Sequence, residues 1–226
     1  MPGSRRERPG RPSSPDSPSR EERKEATRQA IIAAALTLLA DNSFGALSLR
    51  LVTRQAGIVP AAFYRHFASM DALGLVLIDE SFRSLRETLR AARTGKFDPE
   101  RVIDSTVEIL SASVADQREH WRFISRERSS GVPSLRYAIR TEIRLITSEL
   151  ATDLARFSEL NDWSTEDLTI LASLFVNAMI IIAEALEDAT DPAAVEDINR
   201  TANKQLRMIV VGISGWRSNP GRNPPD

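Results

Sequence analysis

Ser48-Leu49-Arg50-Leu51-Val52-Thr53-Arg54-Gln55-Ala56-Gly57-Ile58-Val59-Pro60-Ala61-Ala62-Phe63-Tyr64-Arg65-His66-Phe67 reads as two short helices joined by a tight turn. Ser48 offers a hydroxyl to cap the first helix, and Gly57 is the residue type that reaches positive φ just past a helix end. Pro60 suits the first position of the second helix, where no backbone donor is needed. Val52, Ala56, Ile58, Phe63 and Phe67 are expected to hold the pair against a preceding helix. A short helix, the turn Ala56-Gly57-Ile58 and a second short helix over Pro60–Phe67 make a helix-turn-helix. Helix–glycine–helix alone also describes many plain helical hairpins, so the link to DNA needs further residues.

Helices continue on both sides. Upstream, Ser19-Arg20-Glu21-Glu22 is a capping box, and Ala30, Ile31, Ala34 and Leu38 recur at helical spacing up to Asp41-Asn42. Downstream, Ser69 caps a long helix carrying Leu73, Val76, Leu77, Phe82, Leu85 and Leu89, ending at Gly95. Asp98-Pro99 opens the next, and a shorter one covers His120–Arg128. Pro133 opens another with Leu135, Ile139, Ile143, Ile146, Leu150 and Leu154, reaching Phe157. Ser164 caps an apolar helix, and Asp191-Pro192 starts the last. No segment alternates with period two, so the expectation is an all-α chain of nine helices. Residues 1–18, rich in Pro, Ser and Arg, are expected to be disordered, and residues 218–226 loose. The expected domains are 19–68 and 69–217, joined through the helix from Ser69.

Bulk properties narrow the function. The chain has 226 residues, 42% hydrophobic, with net charge −1, no cysteine and two histidines. Disulfides and thiolate chemistry are excluded, and His66 and His120 are too far apart in sequence to suggest a metal motif. No nucleophile–base pair or phosphate-cradling loop supports an enzyme, and no cofactor is expected. Residues 1–70 hold 11 Lys/Arg against 6 Asp/Glu, a net of +5, and the rest carries −6. A basic front and an acidic back suit a protein that presents one end to phosphates. The charge-free run Leu168–Ala183 is shorter than the roughly 20 residues a membrane span needs. It reads as a buried helix of a cytoplasmic protein with no membrane partner.

The string Leu49–Phe67, with its Ala-Gly turn followed by Tyr64-Arg65-His66-Phe67, resembles the DNA-binding domain of the TetR family of bacterial regulators. The resemblance covers about residues 20–90. It implies a homodimer on an inverted-repeat operator, usually as a repressor. It also implies site roles: Arg50 reaching a base, Pro60, Ala61, Ala62 and Arg65 on the groove-facing side, Tyr64 and His66 at phosphate, with Ser48 able to donate there too. Two positions depart from the family pattern. Met70 stands near a customary Lys, and Thr53 replaces Ala, either packing or turning toward DNA.

Within the family the chain is similar to the FabR-like and DesT-like regulators of unsaturated fatty-acid synthesis, through Ser43-Phe44, Leu47-Ser48-Leu49-Arg50, Phe63-Tyr64-Arg65-His66-Phe67, Met70-Asp71-Ala72-Leu73-Gly74-Leu75, Asp79-Glu80-Ser81 and Arg126-Glu127-Arg128-Ser129. That similarity implies a small hydrophobic effector such as a long-chain acyl-CoA, and control of lipid metabolism. A drug or other metabolite is the alternative. Trp121, Phe123, Phe157 and Phe175 are candidate channel residues. Arg122, Arg126 and Arg128 are candidates for coenzyme A phosphates, or else form a solvated face paired with Glu127. Asn177 and Glu184 are the odd polar residues of the apolar helix, at a pocket or an interface. The dimer is expected to pair this helix with the last one through the stripe Val195, Ile198, Ala202, Leu206, Ile209, Ile213 and Trp216.

Overall fold

The computed structural model describes residues 19–92, 99–129 and 131–218. The expected disordered tail, the helix stop at Gly95, the cap at Asp98 and residues 219–226 lie outside the described residues. Among the described residues there are nine α-helices and no strand. They are α1 (Arg20–Leu39), α2 (Leu49–Gln55), α3 (Pro60–Phe63), α4 (Met70–Ala92), α5 (Pro99–Asp116), α6 (Arg118–Glu127), α7 (Pro133–Leu154), α8 (Thr165–Asp188) and α9 (Pro192–Gly215). Single 3₁₀ turns lie at Phe44–Ala46 and Ser158–Leu160.

The helix starts follow their local chemistry. The capping box forms at α1, with Glu22 N–H donating to Ser19 Oγ and Ser19 N–H to the Glu22 carboxylate. Ser48, Ser69, Ser164 and Asp191 each accept a backbone N–H at the start of their helices. Gly57, at φ +68°, is the one positive-φ residue among those described. Gly57 N–H donates to Arg54 O and Ile58 N–H to Thr53 O, the paired bonds of a Schellman motif that turn the chain out of α2.

The recognition helix is shorter than expected. Only Pro60–Phe63 is α-helical, and the chain continues to Phe67 in tighter turns, with Arg65 N–H bonded to Ala62 O and His66 N–H to Phe63 O.

One apolar core runs from α1–α3 through α4 into α6 and α7. It contains Ile31, Leu39, Phe44, Val52, Phe63, Leu73, Leu77, Phe82, Phe123, Leu135 and Ile139. With 23 residues, α4 is about 35 Å long at 1.5 Å per residue and spans this joint. A second cluster joins α5, α6, α8 and α9, and a third joins the ends of α7 and α8 with Ile209 and Ile213 of α9. By length and composition alone α8 is able to cross a membrane. Here it buries Leu168, Leu171, Ala172, Ile182, Ala183 and Leu186 against its neighbours.

Two expectations are corrected. The stripe on α9 faces inward: Ala202 and Leu206 are buried, with Val195, Ile198 and Ile209 packed around them and Ile213 in the third cluster. The apolar residues left exposed are Met208, Val211 and Trp216 at the end of α9, and Ile170, Leu174 and Ile181 on α8. Ser218 is not loose, since its hydroxyl accepts Ser164 N–H at 2.6 Å and donates to Asp167 at 2.5 Å. Hydrogen bonds from the Ser218 and Ser164 hydroxyls hold the Asp167 carboxyl below its usual pKa.

Candidate DNA-reading surface and effector cavity

Ser48, Arg50, Pro60, Ala61, Tyr64 and Arg65 are exposed on α2, α3 and the turns after α3, with Ala62 and His66 half-buried beside them. Tyr64 is 61% exposed although its ring meets Phe63 edge-on. Phe63, fully buried, thus anchors a ring that points to solvent. Arg28 of α1 sits over the Phe67 ring and pairs with Glu80 of α4 at 3.4 Å, tying the reader to the long helix.

Thr53 does not belong to this surface. It is 2% exposed and its hydroxyl donates to Leu49 O at 2.9 Å, so the Ala-to-Thr departure is a packing change. One exposed residue escaped the sequence reading. Val59, at 67% exposure, precedes Pro60 and offers a branched apolar group at the start of α3. In sequence it looked like part of the turn.

The helices behind the reader enclose a cavity of about 840 Å³. Its walls are largely apolar, drawn from α4 to α9, and include all three tryptophans, Trp121, Trp163 and Trp216. Of the predicted effector residues, Trp121, Arg128, Phe157 and Phe175 line it. Phe123, Arg126 and Asn177 do not. Phe123 is buried in the first core, its ring centre 6.3 Å from that of Phe44. Arg126 donates to Leu39 O and Asn42 O, and Arg122 to Ala40 O, so both hold the carboxyl end of α1. Cations there complement the negative end of a helix dipole. Asn177 faces outward on α8.

These corrections share one cause, the two faces of α6. Trp121, Ile124, Ser125 and Arg128 line the cavity. Arg122, Phe123, Arg126 and Glu127 contact the reader, and the fully buried Glu127 accepts Phe44 N–H at 2.8 Å. The arginines do not pair with Glu127 on a solvated face. Against α8, Ser125 donates to Glu187, Arg128 pairs with Glu184 at 2.6 Å, and Arg118 donates to Glu187 O. Burial pushes the Glu187 carboxyl above the usual range, against the pull of Ser125 and Arg122.

A helix-turn-helix thus shares one core with a cavity-bearing helical unit. Residues 31–75 match the family of bacterial regulatory proteins, tetR family. Most of the chain is similar to solved structures, three of which follow. A TetR-like transcriptional regulator from Rhodococcus sp. RHA1 has TM-score 0.66 and 17% identity, over 82% of this chain and 96% of the other. The fatty acid degradation regulator FadR from Bacillus halodurans has TM-score 0.65 and 14% identity, over 85% and 97%. A TetR-family regulator from Agrobacterium tumefaciens has TM-score 0.63 and 16% identity, over 80% and 98%. Residues 31–75 thus carry the match to this family of regulators, and the fold of the described residues is the one these solved regulators share.

Proposed function

We propose that the protein binds an inverted-repeat operator as a homodimer, and that an elongated apolar effector in the cavity changes its hold on that operator. The observation that carries this reading is α6, which lines the cavity on one face and grips the reader on the other. A ligand that moves the cavity face moves Arg126 and Glu127 with it. It shifts the equilibrium only as far as its affinity differs between the two arrangements. On this reading residues 19–68 read DNA and residues 69–217 bind the effector and dimerise.

Ser48, Arg50, Pro60, Ala61, Ala62, Tyr64, Arg65 and His66 form the DNA-reading set, joined by Val59. With alanines on the recognition helix, methyl contacts to thymine and DNA shape carry much of the specificity.

For the effector we favour a long-chain acyl thioester or a related lipid, and repression of lipid-metabolism genes. The size and apolar walls of the cavity support a lipid, as does the fold shared with a regulator named for fatty acid degradation. The test is an operator titration with and without dodecanoyl- and hexadecanoyl-coenzyme A. The expected change in affinity is about 5–150-fold. Unchanged curves without thermal stabilisation by either thioester or by dodecanoate return the effector to the drug or metabolite class.

A further inference from the structure

We propose that the effector is a long-chain anion whose head group binds Arg128 at the α6 end of the cavity, displacing Glu184. This rests on the reading of the cavity as a lipid site and specifies which end of the lipid is recognised, and by what.

The cavity has two unlike ends. At one, α7 closes and α8 and α9 approach; its charged lining residues are Asp153, Arg156 and Glu159, a net negative set. Arg156 already pairs with Asp153 at 3.3 Å. At the other, beside Phe82, Ile124 and Ile143, the charged lining residue is Arg128, with the Ser125 hydroxyl one helical turn away. The two α6 cations that might have joined Arg128, Arg122 and Arg126, are bound to α1 carbonyls. A head group bearing several phosphates therefore meets one cation at this end and a negative field at the other. A single carboxylate meets a guanidinium, which it can engage through two parallel N–H···O bonds.

Arg128 can be recruited. It and Glu184 are each about one-third exposed, 32% and 34%, and such partly solvated pairs hold weakly. A ligand carboxylate replaces one anion by another, so the guanidinium never stands unpaired. The exchange frees α6 from Glu184 of α8, while Ser125–Glu187 and Arg118 remain in place.

The three tryptophans lining the cavity supply the signal for the test. Full-length protein is titrated with dodecanoate, dodecan-1-ol and dodecanoyl-coenzyme A, following tryptophan emission. Dodecanoate should bind at least about tenfold more tightly than the alcohol, as expected of a hydrogen bond to a charged group. In Arg128→Gln that preference should fall to near unity, Arg128→Lys should restore part of it, and Glu184→Gln should strengthen it. Circular dichroism of each variant reports folding, and Arg128→Lys keeps the test valid if Arg128→Gln unfolds. Equal preference in native protein and Arg128→Gln overturns the proposal. So does thioester binding that exceeds carboxylate binding and ignores Arg128, and in that case the lipid reading stands. If none of the three binds, both fail together.

Discussion

Gly74 of α4 lies so close to the Phe44 ring that a β-carbon there would stand 2.7 Å from Phe44 Cζ, and 3.0 Å from Leu135 Cδ1 of α7. Three segments meet at this point, and Phe44 also bonds to Glu127 of α6 through its N–H. Replacing Gly by Ala within a helix normally stabilises by about 1 kcal/mol. Here overpacking, at about 1–3 kcal/mol, outweighs that gain. Gly74→Ala should lower stability by up to about 2 kcal/mol in urea denaturation. A more stable variant would mean that the Phe44 ring swings aside at little cost.

The DNA-reading set separates into base and phosphate effects. Arg50→Ala should cost about 1–3 kcal/mol of operator affinity and relax preference at one base position. Tyr64→Phe should weaken binding evenly across sequences, as loss of a phosphate contact does. Val59→Ala should matter most where the site carries thymine. Thr53→Ala should change stability and leave sequence preference alone, because its hydroxyl is bonded to Leu49 O. Binding measured against a panel of single-base operator variants distinguishes these. An Arg50→Ala profile identical to the native one would remove its base contact.

The capped helix starts at Ser19, Ser48, Ser69, Ser164 and Asp191 and the Gly57 turn were legible in the sequence because caps and turns depend on residues within a few positions of each other. The partners of each helix face were not. Periodicity showed that α9 has an apolar stripe, but whether a second subunit or α5 and α8 cover it depends on how helices distant in sequence pack. The α6 cluster failed for the same reason. Arg122, Arg126 and Arg128 are close in sequence, yet helical geometry sends the first two to α1 and the third to the cavity. Thr53 was undecidable because a threonine hydroxyl can satisfy itself on the carbonyl four residues back.

The exposed face of α8 presents Ile170, Leu174, Asn177 and Ile181 at helical spacing, and α9 adds Met208 and Val211. Exposed apolar side chains at such regular spacing suit a two-fold four-helix interface. Leu174→Glu should convert a dimer into a monomer in light scattering and abolish operator binding with little loss of helix content. A native protein already monomeric at micromolar concentration would refute the interface.

His120 of α6 lies with Nδ1 2.7 Å from Ser81 Oγ of α4, and burial lowers its pKa from the ordinary 6.5 against the opposing pull of Glu80 and Glu119. The unfolded chain therefore takes up this proton more readily than the folded one. Its stability contribution is complete above pH 6.5 and is lost as pH falls through the lowered folded value. Glu187 acts in the opposite sense: its raised value favours folding at low pH, a contribution lost as pH climbs from 4.5 through the folded value. Between about pH 7.5 and about pH 5.5 the native protein should lose more stability, relative to its value at the higher pH, than His120→Gln does, read from urea midpoints. An equal fall in both proteins would assign the pH dependence elsewhere.

Glu127 tests whether α6 carries the signal. Its carboxylate is fully buried and accepts Phe44 N–H, while the very next residue, Arg128 at the end of α6, faces the cavity. Two routes lead from cavity to reader: α6 through Glu127 and Arg126, and α4, which lends Phe82 to the cavity and continues back to Met70. Glu127→Leu cuts the first and leaves the second, and orphaning Phe44 N–H should cost about 1–3 kcal/mol of stability. If α6 is the relay, Glu127→Leu still binds effector and operator separately, but the shift of about 5–150-fold in operator affinity collapses toward one. Glu127→Gln, which keeps an acceptor for Phe44 N–H, should retain most of the shift. Coupling is reciprocal, so operator DNA should also cease to alter effector affinity in Glu127→Leu, read by tryptophan emission. An undiminished shift in Glu127→Leu, with both binding events intact, would move the relay to α4, and the Phe44–Gly74 contact would then be the joint through which it acts.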